Sequence, residues 1–274
     1  MSRGRWLIGT LAAMLCAAPL LAQSVSESMD NAGTIDWSSQ WVRARGIAVP
    51  GGVGGRAGQI RAAELDALRQ ILETVKGMRL SSTTLVENYM LSSDVIRTRV
   101  EGVARNFRRV GDPVYMDDGS IEVTVEMALT GPGKLYDAVL PQQMGGAQPV
   151  FSSPPSNVGN GSAFSGLIID ARDLGVRPAI SPQILDEHGD VIYGSRVVDR
   201  QWAIQYGLMG YAKELESARQ DDRVSPNPLV VKAIRATGAN RTDVVIDDME
   251  ARILHGIAKN YNFLRQGRVI ILVD

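Results

Sequence analysis

The feature that most constrains the fold is a stretch in the middle of the chain, residues 141–162, with the sequence PQQMGGAQPVFSSPPSNVGNGS. It is rich in Pro, Gly, Ser, Asn and Gln and contains no charged residue. Such a composition is typical of a linker, because it offers neither a helical face nor an alternating strand for burial. A linker here divides the 274 residues into two blocks, each of which needs its own core. We therefore predict two domains, at residues 36–140 and 163–274.

The N-terminus has the parts of an export signal. Arg3 and Arg5 precede a nearly continuous apolar run at residues 6–21, and the small residue Ala22 follows it. This order predicts a secretory signal peptide at residues 1–22. The run is short for a membrane span of about 20 residues, although a retained N-terminal anchor stays open as an alternative. No later segment is long and apolar enough to span a bilayer, so the mature chain is expected in the periplasm, with association with the outer membrane left open.

The cysteine count and the net charge limit the classes of protein to which this chain can belong. Cys16 is the only cysteine and lies inside the predicted signal, so the mature chain is expected to lack disulfides. Leu15 before it does not fit a lipid-attachment signal. Without the signal the chain has 27 basic and 30 acidic residues, a formal net charge of −3. A weakly acidic chain has no basic field for nucleic acid, and we expect no nucleic-acid partner.

The first block begins with a strand pattern and a helix pattern. WVRARGIAV, residues 41–49, interleaves apolar residues with Arg43 and Arg45 and predicts a strand with one solvent-exposed face. Apolar residues at helical spacing predict a helix over residues 57–76, and Gly77 is expected to end it.

The rest of the first block contains the clearest strand. SIEVTVEMAL, residues 120–129, alternates apolar and polar side chains and follows the turn sequence DDGS, so it is expected to pair back on residues 105–116. The preceding VIRTRV, residues 95–100, fits either a helix capped by Ser93 or a strand, and its alternation favours the extended form. The block is predicted to be a small antiparallel sheet with a helix on one face.

The second block mixes buried strands with helices. FSGLIIDA and RVIILVD predict buried strands, the latter central, and PQILDEHGDVIYG predicts a hairpin. PLVVKAIRA and RTDVVID predict two strands joined by TGAN, and a helix is expected within residues 202–218. Asp247 followed by Glu250 predicts the start of another helix. The predicted fold class is α+β: two small domains, each a mainly antiparallel sheet with helices packed on it, after a signal peptide.

The sequence LDEHGDVIYG, residues 185–194, concentrates ionisable groups. Asp186, His188 and Asp190 could serve a metal-dependent hydrolase, or they could form only the hairpin turn around Gly189. A zinc site would need further His or Cys ligands, but the chain has only 2 histidines and its only cysteine lies inside the predicted signal. We therefore predict a turn and assign no catalytic residue, metal ligand or cofactor.

GVGGRA places Gly52, Gly54 and Ala57 in a dinucleotide-binding spacing, but the strand before it carries exposed arginines, so no nucleotide site is predicted.

Asp170, Arg172, Asp173 and Arg177 lie close together in sequence. We interpret them as a candidate interaction or ligand patch, with mutual or intersubunit ion pairing as the alternative. There is no G-x-S-x-G, no H-E-x-x-H and no cysteine nucleophile, so the chain is predicted not to be an enzyme.

Residues 38–131 resemble a known family. Four segments carry the resemblance, in this order: a Trp-containing strand, the helix RAAELDALRQILETVKGMRL, the segment SSDVIRTRVEGVARNFRRVG and the strand DGSIEVTVEMAL. This order resembles the N-terminal domain of flagellar assembly protein T and the related small outer-membrane lipoprotein family that includes the flagellar disk protein P. The resemblance implies a non-catalytic structural protein of a flagellar ring or disk, forming homo-oligomers and contacting other flagellar or envelope proteins.

This chain departs from the lipoprotein branch because it lacks a usable acylation cysteine. The alternative function is a binding or adaptor module for another envelope machine, such as a pilus or secretion system. Its pocket would lie between the domains, around Asp170, Arg172 and Arg177.

Overall fold

The computed structural model describes residues 24–29, 33–51, 53–146, 164–258 and 262–274. Two β-sheets with helices lie within these ranges, which confirms the predicted α+β class. The predicted signal peptide, Gly52 of the glycine-rich motif and most of the predicted linker lie outside the described residues.

The first sheet is antiparallel throughout, with strand order β1-β2-β3-β5-β4. Its strands are β1 (Ser26–Ser28), β2 (Gly33–Asp36), β3 (Trp41–Ala48), β4 (Arg108–Tyr115) and β5 (Ile121–Ala128). The predicted return of the 120–129 strand onto residues 105–116 is confirmed, since Tyr115 pairs with Ile121 across a turn closed by Met116 N–H to Ser120 O at 2.9 Å. The glycine-rich segment therefore follows an antiparallel strand, unlike the parallel strand of a dinucleotide-binding fold.

Helix α1 (Gly55–Gly77) covers one face of this sheet and confirms the predicted helix. The helix approaches β3 closely at Gly46, where a Cβ atom would lie 2.1 Å from the carbonyl oxygen of Ala63. Ala63, Ala67 and Ile71 fill the contact and are fully buried. Small residues on both sides let helix and sheet pack backbone to backbone.

Two shorter helices and a helical turn complete the first half: α2 (Val86–Leu91), α3 (Asp94–Ala104) and α4 (Leu135–Val139). The extended form favoured for VIRTRV was wrong, because residues 94–104 are helical. Ser93 caps α3 by accepting the Ile96 N–H at 3.4 Å. Burial of Val100, Val103 and Ala104 on one side of α3 outweighs the local alternation.

The second sheet has the order β8-β7-β11-β10-β6-β12-β9. Its strands are β6 (Gly166–Asp170), β7 (Ile184–Leu185), β8 (Val191–Tyr193), β9 (Gly210–Ala212), β10 (Pro228–Thr237), β11 (Asp243–Ile246) and β12 (Val269–Leu272). Three predictions for this sheet are confirmed: the β7–β8 hairpin, the β10–β11 pair and the interior position of the last strand, β12.

The second sheet is mixed, which corrects the prediction that both sheets are mainly antiparallel. Among the described residues, four of its six strand pairs are parallel. Only the β7–β8 and β10–β11 pairs are joined by short turns, and such turns force antiparallel pairing. The β8–β9, β9–β10 and β11–β12 connections contain helices, and the β6–β7 connection at residues 171–183 is long although it contains none. Connections of this length allow the strands to return in the same direction.

The helices of the second half are α5 (Arg200–Tyr206), α6 (Leu215–Gln220) and α7 (Asp248–Ala258). The helix expected within residues 202–218 is two short helices with β9 between them, because Gly207 ends α5 with a φ of 83°. The predicted capping of α7 is confirmed by the Glu250 N–H, which donates to Asp247 Oδ1 at 2.8 Å. No helix among the described residues is long and apolar enough to cross a bilayer.

Candidate functional site

The four charged residues predicted as a patch bind to different partners. Arg172 donates two hydrogen bonds to Asp170, at 2.8 and 2.6 Å, and these bonds lower the pKa of the Asp170 carboxyl. Arg177 points away to Glu27, at 3.4 Å. The backbone N–H of Asp173 donates to Asp274 Oδ1 at 2.8 Å. The mutual pairing considered for this patch therefore holds for Asp170 and Arg172.

Arg177 belongs to a cluster of hydrogen bonds and ion pairs that connects the two halves of the molecule. We call this cluster the joint. Glu27 on β1 accepts hydrogen bonds from Arg79 and, at 3.4 Å, from the Trp37 indole. Burial opposes ionisation of Glu27, but the bonds and charges of Arg79, Trp37 and Arg177 outweigh it and lower the pKa of Glu27. Arg79 also donates to the carbonyl oxygen of Pro178 at 2.8 Å. The joint fixes the first half against the segment that follows β6.

A cleft of about 550 Å³ lies between the two halves. It is bounded by Ser38 and Gln40 from the first half and by β9, α6 and Arg223 from the second. None of the four predicted patch residues lines it. This cleft is therefore distinct from the pocket that the sequence predicted around Asp170, Arg172 and Arg177.

Gln40 is the unusual residue of this cleft. It is buried, its backbone φ is 61°, and its Nε2 donates to the Trp37 carbonyl oxygen at 2.5 Å. Its Oε1 is buried and accepts no hydrogen bond from any described residue. A buried acceptor without a donor costs free energy, so this oxygen would be satisfied by a donor that reached it from the cleft.

Arg223, which also lines the cleft, is held by backbone carbonyls. Its guanidinium donates to Gly267 O at 2.8 Å, to Gly207 O at 3.3 Å and to Tyr206 O. Burial lowers the pKa of Arg223 from its usual value. Sequence reasoning missed Gln40 and Arg223, because neither stands in a motif and the carbonyl partners of Arg223 are distant along the chain.

The face of the first sheet opposite α1 is open to solvent. We call it the open face and define it by the outward residues of β3, β4 and β5: Trp41, Arg43, Arg45, Ile47, Arg108, Glu122, Thr124 and Glu126. The alternation in residues 41–49 predicted its solvent-exposed part correctly.

A charged cluster occupies the middle of the open face. Glu126 accepts from Arg43 Nε at 2.7 Å and from Arg108 Nε at 2.6 Å, while the Arg108 guanidinium lies 4.7 Å from the centre of the Trp41 ring. Only 3% of the Glu126 side chain is exposed. Burial opposes its ionisation, but the two arginines outweigh this effect and lower the pKa of Glu126. The two arginines and the tryptophan are thus held in place before any partner binds.

One end of the open face is apolar. Ile47 is 51% exposed, and further exposed apolar residues lie around the adjoining strand ends and the loop before α1: Val49, Val53, Val114, Tyr115 and Met116. Arg56 of α1 lies over the Tyr115 ring at 5.1 Å. Apolar side chains gathered beside fixed charges are typical of protein–protein interfaces.

The ionisable turn between β7 and β8 has the predicted local structure. Asp186 Oδ1 accepts the backbone N–H of His188 at 3.0 Å and that of Asp190 at 2.8 Å, and Gly189 adopts a φ of 90°. These bonds close the hairpin turn. The structure brings one further residue to this turn, Asp248 at the start of α7, which sequence reasoning missed because it lies 60 positions after His188.

Comparison with known protein families gives a match for the second half of the chain. A family model described as the second domain of Treponema pallidum Tp0624 matches residues 166–274, less than half of the chain. The match begins at Gly166, the first residue of β6, and covers the whole second sheet. No curated protein matches the chain.

Proposed function

We propose that this chain is a non-enzymatic, exported envelope protein that serves as a structural subunit of a flagellar ring or disk, in the periplasm near the outer membrane. The predicted signal peptide and the resemblance of residues 38–131 support the compartment and the machine. The observation that carries the structural role is the open face, where preorganised charges and apolar side chains lie exposed on a rigid sheet.

The composition of the open face favours contact with further copies of the chain or with related subunits. It presents Arg43 beside Glu126 and Arg45 beside Glu122, so that one copy carries both signs of charge. A surface with both signs of charge can pair with itself across a two-fold axis or with a neighbour in a ring. Trp41 and Arg108 are of the residue types that contribute most to binding energy at interfaces.

The open face is tested by a matched pair of substitutions. Ile47 and Leu65 are exposed to similar degrees, 51% and 48%, but Ile47 lies on the open face and Leu65 on α1. In sedimentation velocity of the purified full chain, Ile47→Asp should weaken self-association at least about tenfold, while Leu65→Asp should leave it unchanged. A strictly monomeric wild-type chain, or equal effects of the two substitutions, would contradict the proposal.

The flagellar assignment needs a separate test. An immunoblot of detergent-extracted flagellar basal bodies, beside a whole-periplasm fraction, should show enrichment of the protein in the basal bodies. Presence in the periplasm alone would leave the export prediction standing and favour the second candidate below.

The second candidate is a binding or adaptor module for another envelope machine, and the cleft at Gln40 favours it. Donor-bearing polar compounds, screened by thermal shift, should then raise Tm in the wild type and in Gln220→Met, which alters the same cleft without removing the buried acceptor. The shift should disappear in Gln40→Met. A shift that persists in Gln40→Met would place the ligand elsewhere.

A further inference from the structure

The turn between β7 and β8 and the start of α7 bring three metal-ligating side chains together. Asp186, His188 and Asp248 each offer a ligand atom, and these atoms all lie within 4.8 Å of one another. We call these three residues the turn cluster. It lies outside both the open face and the cleft, and it does not depend on the proposed function.

Asp186 is the fixed member of the turn cluster. It is only 2% exposed, and its Oδ1 is held by the amides of His188 and Asp190 at 3.0 and 2.8 Å. The carboxylate is therefore positioned by the hairpin backbone, with no described lysine or arginine forming a salt bridge to it. Its second oxygen remains for another partner.

His188 and Asp248 are spaced like two ligands of one ion. His188 Nδ1 lies 3.3 Å from Asp248 Oδ1. Zinc binds imidazole nitrogen and carboxylate oxygen at about 2.0–2.2 Å, so two ligands at a tetrahedral angle lie roughly 3.3–3.5 Å apart. The ligand atoms of all three residues lie within 4.8 Å of one another, so the more exposed His188 and Asp248 side chains need to move little to share one centre with the fixed Asp186 carboxylate.

The surroundings of the turn cluster are negative. Glu187 Oε1 accepts the Asp248 N–H at 3.3 Å, so a further carboxylate lies beside the cluster. Among the described residues, none of Asp186, Glu187 and Asp248 forms a salt bridge with a lysine or arginine. A cation would relieve this crowding of carboxylates.

We propose that the turn cluster binds a divalent ion of the zinc type, with Asp186, His188 and Asp248 as its three protein ligands and water completing the coordination. The imidazole favours zinc and related transition metals over calcium or magnesium, which prefer all-oxygen sites. The bound ion fastens the β7–β8 turn to the first turn of α7, two segments joined otherwise through the Glu187–Asp248 hydrogen bond. The proposed role of the ion is structural, and no reaction is assigned to the site.

Isothermal titration of the purified full chain with zinc chloride tests the site. The wild type should bind one ion per chain. His188→Ala and Asp248→Asn should each weaken binding at least about tenfold, since each removes a ligand. His255→Ala is the matched control, because His255 is the other histidine and lies on α7 outside the turn cluster; it should bind as the wild type does.

Zinc should also raise Tm of the wild type and of His255→Ala by a few degrees and leave His188→Ala unchanged, because a ligand stabilises only a state that binds it. Circular dichroism without metal checks that every variant is folded. Absence of binding by the wild type, equal binding by His188→Ala, loss of binding in His255→Ala, or a preference for calcium over zinc would each overturn the proposal.

Discussion

The two sheets of this molecule bury their faces differently. In the second sheet, alternate residues of β6 and β12 enter two separate cores: Leu167 and Ile271 belong to the large core, and Ile168 and Ile270 to a smaller one beneath α6. In the first sheet, β3 buries Val42 and Ala44 but exposes the intervening arginines. A sheet covered on both sides serves mainly as a framework, whereas a sheet covered on one side keeps a surface for partners.

The largest loss of stability is expected from creating a cavity beside the second sheet, which is covered on both sides. Ile271→Ala removes a fully buried side chain from β12 and should lower the free energy of unfolding by about 2–5 kcal/mol. The same change at Ile47, which is 51% exposed on the open face, should cost roughly 0.5 kcal/mol or less. Urea denaturation of both variants measures the contrast. Equal costs would mean that the open face is covered in solution.

A medium effect is expected where α1 meets the first sheet. Gly46→Ala places a methyl group 2.1 Å from the Ala63 carbonyl oxygen and should cost about 1–3 kcal/mol by forcing the helix away. Gly102 of α3 is the matched control, since a Cβ there meets no atom within 4 Å. Gly102→Ala should stabilise the chain by roughly 0.5–1 kcal/mol through helix propensity. Chemical denaturation that showed the same sign for both would contradict the close packing of α1.

The smallest losses of stability are expected from neutralising one carboxylate on each sheet. The pKa of Glu126 is lowered in the folded state, so its contribution to stability is present above the unfolded pKa and is lost as pH falls through the folded pKa. Glu126→Gln should therefore cost about 1–2 kcal/mol at neutral pH and reduce the loss of stability in acid. Asp170, whose pKa is also lowered, lies at a more exposed strand end, and Asp170→Asn should cost roughly 0.5 kcal/mol.

The pH dependence of unfolding in urea, between neutral and strongly acidic pH, distinguishes these two carboxylates. If Glu126→Gln were as stable as the wild type at neutral pH, the arginine–tryptophan cluster of the open face would not be held by Glu126. Its role as a preorganised surface would then need another explanation.

Local patterns in the sequence predicted the elements that depend on neighbours along the chain. The helix at residues 57–76, the hairpin that ends at residues 120–129, the turn at Gly189 and the cap at Asp247 all rest on spacing within one element or one turn. Prediction was wrong where a distant partner decided the outcome. VIRTRV alternates like a strand, but α3 forms because its inner side packs into the core of the first half.

The sequence by itself determined that the first sheet has an exposed face and that the second is buried, because alternating and continuous apolar runs record how many sides of a strand meet water. Tertiary structure alone decided the parallel pairing of β6 with β10 and β12, the cleft that buries the Gln40 oxygen, and the meeting of His188 with Asp248. These contacts join residues that are tens of positions apart. Their geometry follows from how whole elements pack, and no local pattern of side chains records it.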